Sequence, residues 1–348
     1  MSIPIKNIYY LLSYGWDIDL QYAQVKGVDA SNYDSLLPLL CDVFVKQCDW
    51  ILKGNLVHSY ITVNEEFPGI KGKLDFNQTL NRQLLRKGRA ACEFDEWSSN
   101  ILPNQIMKST LLNLLRHNEV SRTQKLEIRR SLMRMGEVEP LELQINLFGL
   151  VRLHRNNKHY SLGLKIAQFI FENTVLDERT GNRTFVDIVR DHQKLAKLFE
   201  RFAFQFYKKH TSFAVRRERI KWQSDRDDYL PAMYTDITLE SDTRKVILDT
   251  KFYGSTMSNG KVGFGSNKFH SANLYQIFSY VTNVAGSDSH QNNHRAEGVL
   301  LYPTVDRGIS ERYVIKNHSI SVFTVNLNSN WDLIHERMLD VVLTDFQG

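Results

Sequence analysis

The sequence predicts a mostly helical N-terminal half followed by a mixed α/β layer, one central mixed sheet flanked by helices. Three observations carry this. The first half reads mostly as helices, with Leu36–Gly54 apolar at helical spacing. The string Asp177-Glu-Arg-Thr-Gly-Asn182 marks a loop. After it the pattern runs helix, three strands, glycine-rich loop, helix and strand, then a further strand and helix, an order that puts helices on the faces of one sheet. Two domains are therefore expected, 1–181 and 182–348.

In chain order, Leu36–Gly54 is apolar at helical spacing and ends on a glycine, a helix stop. Leu56–Phe67 alternates loosely and reads as a strand, and Pro68-Gly-Ile-Lys-Gly72 as a tight turn. Helices are expected at Asp75–Lys87, Asn100–His117, Arg122–Met135 and Lys158–Asn173. In the second half, His192–Lys209 is a helix whose apolar stripe is Leu195, Leu198, Phe199, Phe202 and Phe206. Ser212–Trp222, Leu230–Glu240 and Lys245–Tyr253 read as strands, Gly254–Lys268 as a loop, and Ser271–Val284 as a helix with Leu274, Ile277, Phe278, Val281 and Val284 inward. Strands at Gly298–Tyr302 and Ile320–Asn326 and a helix at Trp331–Phe346 close the chain.

The 348 residues carry 44 Lys and Arg against 39 Asp and Glu, a net charge of +5 that permits a polyanionic partner without requiring one. Three cysteines, Cys41, Cys48 and Cys92, lack the spacing of a disulfide framework or a zinc site, and the first two read as helix core. Neither a signal peptide nor a long uncharged apolar run is evident, so the expected location is cytoplasmic. No phosphate-binding loop is recognisable: Gly260-Lys-Val-Gly-Phe-Gly265 lacks the required spacing and a preceding strand. The chain is not expected to hydrolyse nucleotide itself. His290 and His294 are spaced as on a zinc-binding helix but sit in a polar loop string with no third ligand.

The densest chemistry lies on two neighbouring strands. Alternation puts Met233, Ile237 and Leu239 on one face and Asp236 on the other. In the next strand Val246, Leu248 and Phe252 share the core face, with Asp249 and Lys251 opposite. The short polar link Ser241–Arg244 predicts a hairpin that brings Asp236 beside Asp249 and Lys251. Two carboxylates suit Mg²⁺, a hard cation that keeps several waters, and the carbonyl of Thr250 is a further candidate ligand. Such an ion acidifies water and neutralises charge on a phosphodiester, and a lysine beside it can orient that water. A salt-bridged polar hairpin face is the alternative.

Helix, hairpin with Asp236 and Asp249-Thr-Lys251, and helix with Gln276-Ile-Phe-Ser-Tyr280 together resemble the PD-(D/E)xK nuclease core. Thr235-Asp236 replaces the usual Pro-Asp. Over nearly the whole chain, the strings Ile5–Trp16, Pro68–Leu74, Thr235–Ile237, Asp249–Tyr253 and Lys268–Gln276 resemble the McrC family, nuclease subunits of McrBC modification-dependent restriction systems. That resemblance implies Asp236 and Asp249 as metal ligands, Lys251 as the catalytic lysine, and Gln276 and Tyr280 as a supporting motif. It implies Mg²⁺ as cofactor, double-stranded and modified DNA as substrate, and a hexameric McrB-like AAA+ GTPase as partner, bound through the N-terminal domain and stimulated by it. Glu200 sits where the first core helix often gives an acid to the metal; a plain exposed glutamate is the other reading.

Lys208, Lys209, His210, Arg216, Arg217, Arg219 and Lys221 crowd the strand before the hairpin, either as phosphate contacts or as a charged edge. Tyr9, Tyr10, Tyr14 and Trp16 read as core, and Lys71 and Lys73 as turn residues or partner contacts. Two rival functions stay open: a catalytically silent adaptor of the AAA+ motor, and an autonomous DNA-repair nuclease.

Overall fold

The protein is described by a computed structural model covering residues 3–18, 33–54, 56–176, 183–186, 188, 191–226, 228–252, 257–258, 268–287, 292–305 and 308–343. Two compact units are formed. One joins Met1–Tyr22 and Ala30–Asp34 to Asp187–Gly348; the other comprises Ala23–Asp29 and Ser35–Val186.

Helix α1 (Ile5–Gly15) belongs to the first of these. The second holds α2 (Leu36–Lys53), β1 (Ser59–Phe67), β2 (Lys73–Leu74), α3 (Phe76–Asn81), β3 (Ala90–Ser98), α4 (Leu102–Leu114), α5 (Arg122–Met133), α6 (Ile145–Leu150), α7 (Ser161–Glu172), β4 (Thr174–Leu176) and β5 (Arg183–Phe185). Helix α2 is buried on nearly every side, Cys41 and Cys48 included, and packs on α5 and α7. Ser121 and Gln124 form a reciprocal cap that starts α5. A small antiparallel sheet, ordered β1-β3-β2, stands beside these helices. Its turn needs Gly72, at φ +70°, because a Cβ there would lie 2.4 Å from the carbonyl of Glu93. The helix expected at Asp75–Lys87 is instead two pieces, since Gln83 adopts a left-handed conformation between α3 and a 3-10 turn at Leu84–Lys87. Strand β3 has no counterpart among the expected elements.

The first unit continues with α8 (His192–His210), β6 (Ala214–Arg216), β7 (Arg219–Ile220), β8 (Met233–Tyr234), β9 (Ile237–Glu240), β10 (Lys245–Thr250), β11 (Met257–Ser258), β12 (Lys268–Phe269), α9 (Ser271–Ala285), β13 (Glu297–Thr304), β14 (Ser310–Ile315), β15 (His318–Asn326) and α10 (Trp331–Leu343). Among the described residues its main sheet has six strands, ordered β14-β15-β13-β10-β9-β6. The β10–β13 and β13–β15 pairs are parallel and the rest antiparallel, the mixed sheet that was expected. Helix α9 packs on one face through Ile277, Tyr280, Val281 and Val284, against Ile247, Leu300, Ile320 and Val322. Gly298 permits that approach: a Cβ there would lie 2.8 Å from Ile277. Helix α8 packs against β10 and β6, and α10 against β15.

Three expectations are corrected here. The 1–181 division put the first helix with the N-terminal domain, whereas α1 packs on α8, with Tyr14 against Phe202 and Phe206 and Asn7 donating to the carbonyls of Leu327 and Ser329. An apolar helix face this aromatic is buried best where α8 offers its own stripe. Next, the strands expected at Ser212–Trp222 and Leu230–Glu240 are each broken in two. Glu218 leaves the sheet to exchange hydrogen bonds with Thr235, so β7 and β8 pair apart from β6 and β9. Finally, β10 has no exposed face: on the side of Asp249, Lys245 and Ile247 are as buried as Val246 and Leu248.

The loop Asp177–Asn182, most of Gly254–Lys268 with its glycine string, Tyr253 and His290 lie outside the described residues. Among the described residues no helix is long and apolar enough to cross a membrane.

Candidate active site

Asp236 stands at the break between β8 and β9. Thr235 fixes the break: its amide donates to the carbonyl of Glu218 at 2.9 Å, and its hydroxyl meets that of Thr238 at 2.9 Å. Because of this interruption, Met233 packs under α9 while Ile237 and Leu239 stand opposite Leu248 and Val246. The single face expected for Met233, Ile237 and Leu239 is therefore not formed. The released Asp236 carboxylate accepts two hydrogen bonds from Thr250, from the amide at 2.9 Å and the hydroxyl at 3.0 Å. The hairpin thus brings Asp236 to the end of β10, as its register requires.

Asp249 is one residue earlier on β10 and only 1% exposed. The Lys251 ammonium lies 2.7 Å from its Oδ2 and is the one group that answers the carboxylate; no other donor reaches either oxygen. Burial foremost, then the charge of Asp236, pushes the Asp249 carboxyl up to about 6 against Lys251. Glu200, on α8, adds to the same upward push, so three carboxylates share one electrostatic neighbourhood. Glu200 itself is half-buried and ion-paired with Arg217. Burial first, and Asp236 second, holds its carboxyl above the ordinary range.

On α9, Gln276 donates to the Tyr280 hydroxyl at 2.8 Å, so the pair expected to share a helix face does. Asn273, one turn before, donates to the Tyr302 hydroxyl at 2.9 Å. Part of the basic cluster is engaged within the protein. Arg216 pairs with Glu218 and Glu240, Arg217 with Glu200, and His210 with Tyr14 and His335.

Sequence reasoning missed Lys245. It is fully buried, donating to Glu218 Oε1 and Asn293 Oδ1, each at 3.0 Å. A lysine heading an apolar run was the available signal; its partners lie 27 and 48 residues away.

Among the described residues no three Asp, Glu, His or Cys side chains gather into a metal cage as they stand. What the residues do offer is a buried carboxylate answered only by Lys251, a second one oriented by Thr250, and a third paired with Arg217. Oxygen donors of this kind fit a hard divalent cation that retains waters.

A profile of the family described as McrBC 5-methylcytosine restriction system component matches residues 5–303, which include Glu200, Asp236, Asp249, Lys251, Gln276 and Tyr280. The chain belongs to the McrBC family. It is similar to the Type IV methyl-directed restriction enzyme EcoKMcrBC of Escherichia coli strain K12, with 32% identity over 345 residues, 97% of each protein. Among solved structures, it resembles one described as a half-complex of Thermococcus gammatolerans McrB AAA+ hexamers with bound McrC. There the TM-score is 0.59 at 16% identity, covering 97% of this chain and 76% of the other, a likeness of fold.

Proposed function

We propose that this McrBC-family chain is the nuclease subunit of a restriction complex, a Mg²⁺-dependent DNA endonuclease built on a PD-(D/E)xK core. The observation that carries the reading is Asp249: a carboxylate 1% exposed, answered only by Lys251 at 2.7 Å and pressed by the charges of Asp236 and Glu200. Carboxylates gathered around one lysine leave negative charge in excess, and a divalent cation is the partner that resolves it. Asp236 and Asp249 would hold the ion, with the carbonyl of Thr250 and Glu200 as further candidate ligands. Such an ion would supply an acidified water and neutralise charge on the scissile phosphate.

The remaining steps belong to the chain's own side chains. Lys251 orients the attacking water and stabilises the charge growing on the phosphate oxygens. Thr250 fixes the Asp236 carboxylate through two hydrogen bonds, which keeps the ion's position set. Gln276 and Tyr280 brace this machinery from α9. Since the related archaeal assembly joins McrB hexamers to McrC, the partner assigned here is an McrB-like AAA+ GTPase. This chain docks on it through the unit comprising residues 35–186, stimulates its GTP hydrolysis, and cuts the DNA it delivers. The family's 5-methylcytosine description supports modified DNA as substrate.

The test is plasmid cleavage with the AAA+ partner, GTP and Mg²⁺, on methylated and unmethylated DNA. Cutting of methylated plasmid alone is expected. Equal cutting of both would remove the modification dependence, and no cutting with GTP turnover still raised would favour the silent adaptor.

A further inference from the structure

We propose that the unit comprising residues 35–186 carries a binding site for a small organic phosphate, a cleft of about 600 Å³ between α4, β4 and β5 with Arg116 and Arg183 in its wall. The cleft has the size of a small-molecule pocket. Its apolar wall includes Leu143 and Phe171, and Asn113 adds an amide. A backbone bridge between His117 and Arg183 anchors β5 beside the end of α4, which brings the two arginines together.

Arg183 Nε is buried with no acceptor. Guanidinium donors are rarely left so, because desolvating one without a partner costs free energy. The surrounding field makes this worse. After burial, the charge of Arg116 is what lowers the affinity of Arg183 for its proton. His117, 1% exposed and with both ring nitrogens unpartnered, is pushed down to about 4 by burial and then by Arg183. Glu142 also lines the cleft, but no ion pair joins it to either arginine. A cleft with two guanidiniums in its wall, neither of them paired with the one carboxylate there, is net positive and suits an oxyanion.

Two guanidiniums match the several oxygens and double charge of a phosphate monoester better than the two oxygens of a carboxylate. The volume and the Phe171 wall leave room for an apolar or aromatic body attached to it. The site does not depend on the DNA-cutting reading.

The probes are inorganic phosphate and a nucleoside monophosphate, titrated calorimetrically into the full chain. The nucleoside monophosphate is expected to bind at least about tenfold more tightly than inorganic phosphate, and Arg183→Gln or Arg116→Gln to weaken it by about tenfold or more. Unliganded Arg183→Gln should melt no lower than wild type, because the lost group has no partner to lose. Absence of binding, equal binding of both probes, binding indifferent to Arg183→Gln, or a lowered melting temperature in that variant would each overturn the proposal.

Discussion

At the scale of single residues the account turns on Asp249. Its carboxyl sits at about 6, above the ordinary 3.8, chiefly through burial. The folded chain therefore holds this proton more tightly than the unfolded chain does. The stabilisation is complete below about pH 4 and is lost as pH rises through 6. In metal-free protein at neutral pH the deprotonated group costs on the order of 2 to 3 kcal/mol. Asp249→Asn removes that cost while keeping an acceptor for Lys251. Its melting temperature should exceed that of wild type near pH 7.5, with the gain shrinking toward pH 4; a lower value at pH 7.5 would contradict the burial argument. Lys245 makes the opposite case, since its charge is answered by Glu218 and its ammonium also donates to Asn293. Lys245→Met leaves the Glu218 carboxylate with only the more distant Arg216 beside it, and a loss of about 3 kcal/mol is expected in urea unfolding.

At the scale of elements, the site depends on α9 lying close against β13 and β10. Gly298→Ala places a methyl 2.8 Å from Ile277 Cγ1 and 3.0 Å from Val281 Cγ2, and these must move. Overpacking of this kind costs about 1 to 3 kcal/mol. Thermal unfolding should register that loss, together with weaker activity as Gln276 and Tyr280 shift; an unchanged melting temperature would show that α9 yields freely. How far such arrangements could be read from the sequence depended on the range of the forces involved. Helices α2, α5, α8 and α9 were legible because their apolar spacing and caps are local. The hairpin of β9 and β10 was legible from a short polar link and alternating side chains. The break at Thr235-Asp236 was not, because it is made by Glu218, 17 residues away. Strand β3 escaped notice because Ala90–Ser98 mixes acids into its alternation and is held by pairing with β1, not by its own pattern. The place of α1 escaped for a related reason: its partners on α8 lie almost two hundred residues downstream, as in the Tyr14 to His210 contact. Glu200 looked equally like a surface acid, and only its proximity to Asp236 and Arg217 distinguishes it.

At the scale of the whole molecule, the carboxylate site lies in one of the two compact units, and the proposed reading gives the other to the partner ring. A net charge of +5 on 348 residues provides only modest attraction for DNA, and Arg216 and Arg217 are already paired within the protein. Delivery of DNA by a translocating partner suits a chain so equipped. It also separates two activities that a single substitution can tell apart. The deciding measurement is therefore Asp249→Ala assayed beside wild type with the AAA+ partner, GTP, Mg²⁺ and methylated plasmid, scoring DNA cleavage and GTP turnover in the same reaction. The account predicts that cleavage disappears, a loss of at least about a thousandfold, while stimulated GTP turnover stays at the wild-type level. Cleavage by the variant at the wild-type rate would contradict it and place the catalytic centre elsewhere.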